Sequence, residues 1–359
     1  MKLLIVEDEQ SQIQLYLDVI DSFNSKSDVK INPTYYTTLK DAKEALANSD
    51  YDAAIVDLKL SSNTKNLEGL DVVDEIVDKL RFPVFIVSGS IGQIERDESS
   101  LFKKRSRDGD FKQVLDELCA IYNTGITQIL GKRGTINEYL NKIFWSHLSS
   151  TMGMWTSDTS KTREQKEKIL LRYTLLHIQE YLELTEESDF EHYHAAEIYI
   201  MPTIKTKVFT GDIVENIDGS KSYIVLTPSC DLAQSKAKDI LIAEIETEGL
   251  LLEKINIIKK NKGTQEDLQK AKIELKKMIN NSYSNKYHFL PKYSDIRAGL
   301  INFQKLLTVR VKDFDTEFNR KASINSSFTK DIVARFSYYY SRQGSPDFDT
   351  DDIFNKMLE

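Results

Sequence analysis

Tyr51-Asp52-Ala53-Ala54-Ile55-Val56-Asp57-Leu58-Lys59-Leu60 is a mostly apolar run in which Asp57 stands between Val56 and Leu58. A short run of this kind, bounded by polar residues, suits a strand buried on both faces at the centre of a parallel sheet. An acid at the carboxyl end of such a strand lies at the crevice where open α/β sheets bind their ligands. A strand-end aspartate can also simply cap the next loop. The segments on either side decide between the two readings.

Working outward, residues 2–6 form a second β-type run that ends directly on Glu7-Asp8-Glu9. Ile13, Leu15, Leu17, Ile20 and Phe23 follow at roughly helical spacing. Residues 29–36 have strand character, and Thr38-Leu39-Lys40-Asp41 resembles a capping box that opens a helix through Ala47. Beyond Asp57, residues 69–80 carry Leu70, Val73, Ile76, Val77 and Leu80 on one helical face. A fourth strand at 82–87 stops at Ser88-Gly89-Ser90. A short helical piece at 91–97, a fifth strand at 101–104 and a helix at 111–122 complete the alternation. This order predicts a doubly wound parallel sheet.

The motifs Leu4-Ile5-Val6-Glu7-Asp8-Glu9, Tyr51-Asp52 through Asp57-Leu58, Gly69-Leu70 and Pro83-Val84-Phe85-Ile86-Val87-Ser88 occur here in one order. With them, residues 1–124 resemble a response regulator receiver domain (CheY-like), which implies the flavodoxin-like (βα)5 fold. The resemblance implies a phosphorelay in which a histidine kinase phosphorylates Asp57. It makes Asp57 both nucleophile and magnesium ligand, with Glu7, Asp8 and the backbone carbonyl of Lys59 completing the metal site. It gives Ser88 the hydroxyl that contacts the phosphoryl group. The chemistry suits these residues, because magnesium takes hard oxygen ligands and neutralises charge in phosphoryl transfer. Taken alone, Glu7-Asp8-Glu9 is more commonly a solvated helix start; the nearby Asp57 strand favours the pocket.

The family also has a lysine at the end of strand five, normally followed by proline. Leu101-Phe102-Lys103-Lys104-Arg105 offers two lysines and no proline. The order of apolar residues favours Lys104, with Lys103 as the alternative. Leu101 stands where the family carries its switch aromatic, and the interval from Ser88 to Lys104 leaves little room for a fourth helix. The usual output face is therefore expected to be remodelled.

At 359 residues the chain should form two or three domains. The expected division is a receiver at 1–124, a helical connector at 125–186 and a β-rich (α+β), barrel-like effector at 187–359. Residues 1–124 hold 15 Lys and Arg against 23 Asp and Glu, and the remainder holds 33 of each, so the net charge of -8 belongs to the first domain. An acidic first domain and a neutral remainder argue against a nucleic-acid binder. No run approaches a membrane span, and the apolar start is broken at once by Glu7-Asp8-Glu9, which argues against a signal peptide. Two cysteines without metal or framework spacing point to a reducing cytoplasm.

In the connector, residues 136–148 carry an apolar helical face, 149–162 a polar loop held by Met152, Met154 and Trp155, and 163–184 a long helix. From Ala195 the pattern turns to β, with strands expected at 197–201, 205–209, 212–214, 223–227, 240–245, 287–290 and 306–311. Asp218-Gly219 signals a hairpin. A lysine-rich helical hairpin is expected as an insertion at 250–286, turning near Gly263. Residues 328–340 should form an aromatic-rich helix, and 345–352 a turn and acidic tail.

Gly211-Asp212-Ile213-Val214 and Thr227-Pro228-Ser229-Cys230-Asp231-Leu232 faintly resemble SH3-like barrels of the PemK/MazF toxin type. Cys230 beside Asp231 could be a nucleophile near Arg335 or Arg342, but a buried packing cysteine is the commoner case. His192 and His194 with Cys230 would make a zinc set that no other spacing supports. The reading reached is a response regulator with a nonstandard effector that does not bind DNA, of a kind that resembles components of bacterial defence systems. Its alternatives are a receiver-controlled ribonuclease and a protein-interaction adaptor.

Overall fold

A computed structural model describes residues 1–60, 68–89, 91–93, 95–183, 192–342 and 347–359. The chain divides into two compact units, Met1–Asp189 and Phe190–Glu359.

The first unit opens with β1 (Lys2–Val6), α1 (Gln10–Lys26), β2 (Asn32–Tyr36), α2 (Leu39–Asn48), β3 (Ala53–Val56), α3 (Glu68–Lys79), β4 (Val84–Ser88), β5 (Phe102–Ser106) and α4 (Phe111–Tyr122). The five strands form one parallel sheet in the order β2-β1-β3-β4-β5, the flavodoxin-like arrangement. Period-two alternation sends each central strand's side chains to both faces. Leu4, Val6, Ala54, Val56 and Ile86 pack with α2 and α3, whereas Leu3, Ile5, Ala53, Ile55, Phe85 and Val87 pack with α1 and α4. That two-sided burial is why the Asp57 strand is a continuous apolar run. The expected capping box is half realised: Thr38 accepts a hydrogen bond from the Asp41 N–H at 3.1 Å.

Two departures concern the sheet's edge. Among the described residues between β4 and β5 the short helical piece expected at 91–97 is one 3-10 turn, Ile91–Gln93. β5 also runs two residues further than expected, to Ser106, because a polar edge strand needs no apolar signal to continue its ladder.

Gly69 sets the start of α3. Its N–H donates to the Leu58 carbonyl at 3.1 Å. A Cβ built there would lie 1.9 Å from the Asp57 carbonyl oxygen and 2.8 Å from the Leu58 Cα. Only glycine lets the helix approach the strand end so closely.

After α4 come α5 (Ile126–Leu130), α6 (Thr135–Lys142), a π-helical segment (Ile143–Leu148), α7 (Ser149–Ser157) and α8 (Arg163–Glu183). The polar stretch expected as a loop at 149–162 is thus helical through Ser157, since the backbone stays αR across Leu148 and Ser149. The start of this block is tied to the sheet domain. Arg81 donates to the Leu130 carbonyl at 3.2 Å, and Arg133 pairs with Asp50 at 3.1 Å.

The second unit contains β6 (Tyr199–Ile200), β7 (Asp212–Asn216), β8 (Ser222–Val225), α9 (Ser229–Ala233), β9 (Asp239–Glu246), α10 (Leu250–Lys259) and α11 (Gln265–Ile279). It continues with β10 (Tyr287–Leu290), β11 (Gly299–Arg310), α12 (Val311–Glu317), β12 (Phe318–Ile324), α13 (Ser326–Ser341) and α14 (Thr350–Leu358). The strands make one antiparallel sheet in the order β10-β11-β9-β8-β7-β12-β6. Among the described residues no pairing joins β10 to β6, so the barrel expectation is corrected to an open sheet. Residues 205–209 are not a strand, and β12 had no forecast. The hairpin at Asp218-Gly219 is present, with Gly219 at φ 69°. The helical insertion is α10 and α11, between β9 and β10. In the tail, 345 and 346 lie outside the described residues, and α14 replaces the expected turn.

The Gly69 contact gives a direct test. Gly69→Ala is expected to destabilise the first unit by about 1–3 kcal/mol, the range for forcing extra volume into packed structure. Urea unfolding of the full chain would measure it.

Candidate functional site

The β1–β3 register builds the site. Val6 pairs with Val56, and the Asp57 N–H donates to the Val6 carbonyl at 2.8 Å. The residues just past the two strands, Glu7, Asp8 and Asp57, therefore meet. One ligand oxygen from each lies within 4.8 Å of the others. Glu7 and Asp57 are 1% and 3% exposed. Among the described residues this is the one group of three metal-ligand side chains that comes together.

Two buried carboxylates at this distance need a cation, and the structure supplies Arg107. Its Nη2 lies 2.9 Å from Glu7 Oε2 and 3.2 Å from Asp57 Oδ2, while Nη1 lies 2.9 Å from Glu9 Oε2. The extra length of β5 explains its position. Ser106 pairs with Ser88, and the Arg107 N–H donates to the Ser88 carbonyl at 3.3 Å, so the side chain leaves just beyond the strand end.

Lys104 pairs with Ile86 instead, two residues before the level of Ser88. Lys103 turns to α4 and meets Glu117 at 2.7 Å. The sequence reading missed Arg107 because Lys103-Lys104-Arg105-Ser106-Arg107 has no apolar residue to mark where the strand stops.

Burial, reinforced by the charge of Asp57, pushes the Glu7 carboxyl up to about 7, against the pull of Arg107. Burial works to lower the Arg107 pKa, but Glu7 and Asp57 outweigh it and hold the guanidinium above its ordinary value.

The two oxygens of Asp57 differ. Oδ2 accepts from the Lys59 N–H at 3.1 Å and faces Arg107. Oδ1 is buried and has no hydrogen-bond partner among the described residues. Ser88 is buried at the end of β4. An orphaned buried oxygen among hard oxygen donors fits a magnesium ion and an incoming phosphoryl group.

No family model matches the chain, and no curated protein matches it. Solved structures similar to it cover its first third. A receiver domain from Methylobacillus flagellatus is 21% identical over 33% of this chain and 98% of that one, with a TM-score of 0.27. The Thermotoga maritima response regulator TrrA, solved with magnesium and beryllofluoride, is 14% identical over 33% and 97%, with a TM-score of 0.27. A Francisella response regulator receiver domain is 15% identical over 34% and 97%, also at 0.27. The chain's own strand order, β2-β1-β3-β4-β5 with acids at the ends of β1 and β3, is that of a flavodoxin-like (βα)5 sheet. The first domain has the receiver fold.

In the second unit the expected chemistry does not assemble. Cys230 is exposed rather than buried, and its thiol lies 3.6 Å from Asp231. Helix α9, which carries both, packs through Leu232 on the sheet face of Val214 and Val225. Arg335 lies on α13, which packs through Ile332 on the opposite face with Ile213 and Ile224. Arg335 Nη2 donates to the Asn281 carbonyl at 2.6 Å, and the Arg342 guanidinium stacks over Tyr339. His194 does not ligate metal with Cys230; its Nδ1 accepts from the Ala196 N–H in a helix cap.

His288 on β10 is a buried titratable group of this unit, as is Asp212, which is paired with Arg320 and Ser323. Burial, with the charge of Arg335 adding, lowers the His288 imidazole to about 4. Asp331 at 3.7 Å is well solvated and leaves that direction unchanged.

Two outcomes are expected. In metal-free protein Arg107→Ala should cost on the order of 2 kcal/mol, because it strands two buried carboxylates, and magnesium should restore part of the loss; unfolding with and without magnesium measures both. For His288 the folded state binds fewer protons than the unfolded chain. Its contribution is complete above the ordinary histidine pKa of about 6.5 and is lost as pH falls towards about 4, a span of roughly 3 kcal/mol. Thermal unfolding between about pH 7 and about pH 5 should show that slope in the wild type and a shallower one in His288→Leu.

Proposed function

We propose that the first domain is a phosphoacceptor receiver and that the chain is a response regulator whose output does not run through DNA. The supporting observation is the asymmetry of Asp57. Oδ2 is held by the Lys59 N–H and Arg107, which leaves the buried Oδ1 as the nucleophile. Glu7, Asp8 and Asp57, with the Lys59 carbonyl, would hold magnesium, which when bound neutralises the charge that builds up in phosphoryl transfer.

Arg107 takes the cationic place expected of Lys104. Its Nε is buried without a hydrogen-bond partner among the described residues, so a donor is left for a phosphoryl oxygen. Ser88 ends the neighbouring strand β4 and in this reading supplies the hydroxyl that contacts the phosphoryl group. An arginine fork can release one carboxylate and keep another, which suits a cation that must change partners when Asp57 becomes esterified. The phosphoryl donor in this reading is a histidine kinase, and the setting is the cytoplasm. No helix among the described residues is long and apolar enough to cross a membrane.

The division into receiver, connector and effector at 1–124, 125–186 and 187–359 belongs to the same proposal. Residues 125–359 are charge-neutral, which supports a protein-directed output rather than a phosphate-backbone one.

Beryllofluoride with magnesium should raise the melting temperature of the wild type and leave Asp57→Asn unchanged; equal stabilisation of the two would sink the phosphoacceptor assignment. The protein activated in this way should show no tight, salt-sensitive, sequence-specific DNA binding in a fluorescence-anisotropy titration.

A further inference from the structure

Helices α6 and α7 and the π-helical segment between them form one nearly continuous rod, because the residues at both junctions keep αR backbone angles. Helix α8 returns alongside it. Tyr139 stacks on Tyr181 with centroids 5.4 Å apart, His147 Nε2 and the Tyr181 hydroxyl are 2.8 Å apart, and Trp155 meets Tyr173 edge-on at 5.9 Å. Early residues of the rod thus meet late residues of α8, which makes an antiparallel hairpin. Tyr139, Ile143 and His147 on one side and Tyr173, His177 and Tyr181 on the other form its seam.

The seam leaves a second apolar face. No residue of α8 is buried, and Leu171, Leu175 and Leu182 are 62%, 57% and 62% exposed, with Ile178 half-buried between them. On the rod, Leu140, Phe144 and Met152 are exposed and Leu148 is half-buried. Leu140, Phe144 and Leu148 each follow a seam residue by one position, and so do Ile178 and Leu182. One step along a right-handed helix turns about 100° about its axis. In two antiparallel helices those turns run in opposite senses from opposed starting directions. Both stripes therefore come out on the same side of the hairpin.

We propose that this face is a self-association surface on which two copies of the chain pair, α8 against α8 in antiparallel, to close a four-helix bundle. The spacing of Leu171, Leu175, Ile178 and Leu182 is 4-3-4, the seam of a helix that packs against another helix. It is also symmetric about its midpoint. An antiparallel copy places Leu171 over Leu182 and Leu175 over Ile178, as a two-fold interface requires.

Charge selects the same direction. Residues 163–172 hold four basic and two acidic side chains, whereas 173–183 hold Glu180 and Glu183 and no Lys or Arg. Antiparallel pairing sets each basic half beside an acidic half, with Arg172 next to Glu183 of a second copy, both on the same flank of the leucine stripe. Face-to-face packing of two such hairpins is a standard four-helix architecture.

Light scattering and sedimentation equilibrium on the full chain test this. A species of twice the 41.3 kDa chain mass is expected, together with its loss in Leu175→Glu/Leu182→Glu at unchanged helical circular dichroism. Arg172→Glu should weaken self-association several-fold, and adding Glu183→Arg should restore it. A wild type that stays monomeric, or a dimer that survives the two leucine changes, would overturn the proposal. Failure of the charge reversal to restore association would overturn the antiparallel pairing.

Discussion

The cationic bridge from Arg107 to Glu7 and Asp57 is the interaction on which the receiver site depends. Two buried carboxylates side by side repel, and each loses its hydration. Burial, with the charge of Asp57 adding to it, raises the Glu7 carboxyl to about 7. The guanidinium spans 2.9 Å and 3.2 Å contacts to the two acids and so keeps the pocket assembled. It still leaves one oxygen of Asp57 without a hydrogen-bond partner among the described residues.

That arrangement rests on backbone geometry more than on side-chain packing. The β1–β3 register places both acids at one level, and the ladder from β4 carries one residue past β5 to Arg107. Gly69 lets α3 begin against the Asp57 carbonyl. Among the described residues the segment between β4 and β5 holds one 3-10 turn, at the edge of the sheet and away from these elements. The acidic pocket is therefore built without that edge segment.

The second unit follows a different logic. Its antiparallel sheet has an apolar core on each face, closed by α13 on one side and by α9 and α12 on the other. Two-sided burial separates α9 from α13, and with them Cys230 from Arg335. The lysines of α10 and α11 decorate an inserted hairpin whose inner residues, Leu251 and Met278, pack with Leu300 of β11.

The sequence alone determined the elements whose residues carry a strong local pattern. The apolar runs ending on Glu7-Asp8 and Asp57 were legible because burial on both faces demands continuous hydrophobicity. The helices of the receiver, the long α8 and the Asp218-Gly219 turn were legible through periodicity and turn chemistry. Tertiary structure decided what local pattern does not encode. β5 continues through a polar run because its hydrogen bonds come from β4, and this brings Arg107 to face Glu7 and Asp57. The helix at 149–157 forms because a helix already under way extends into it. β12 was missed because Phe318-Asn319-Arg320-Lys321 gains its strand state from pairing with β7. Hydrogen bonds to a neighbouring strand are non-local, and no window of sequence contains both partners.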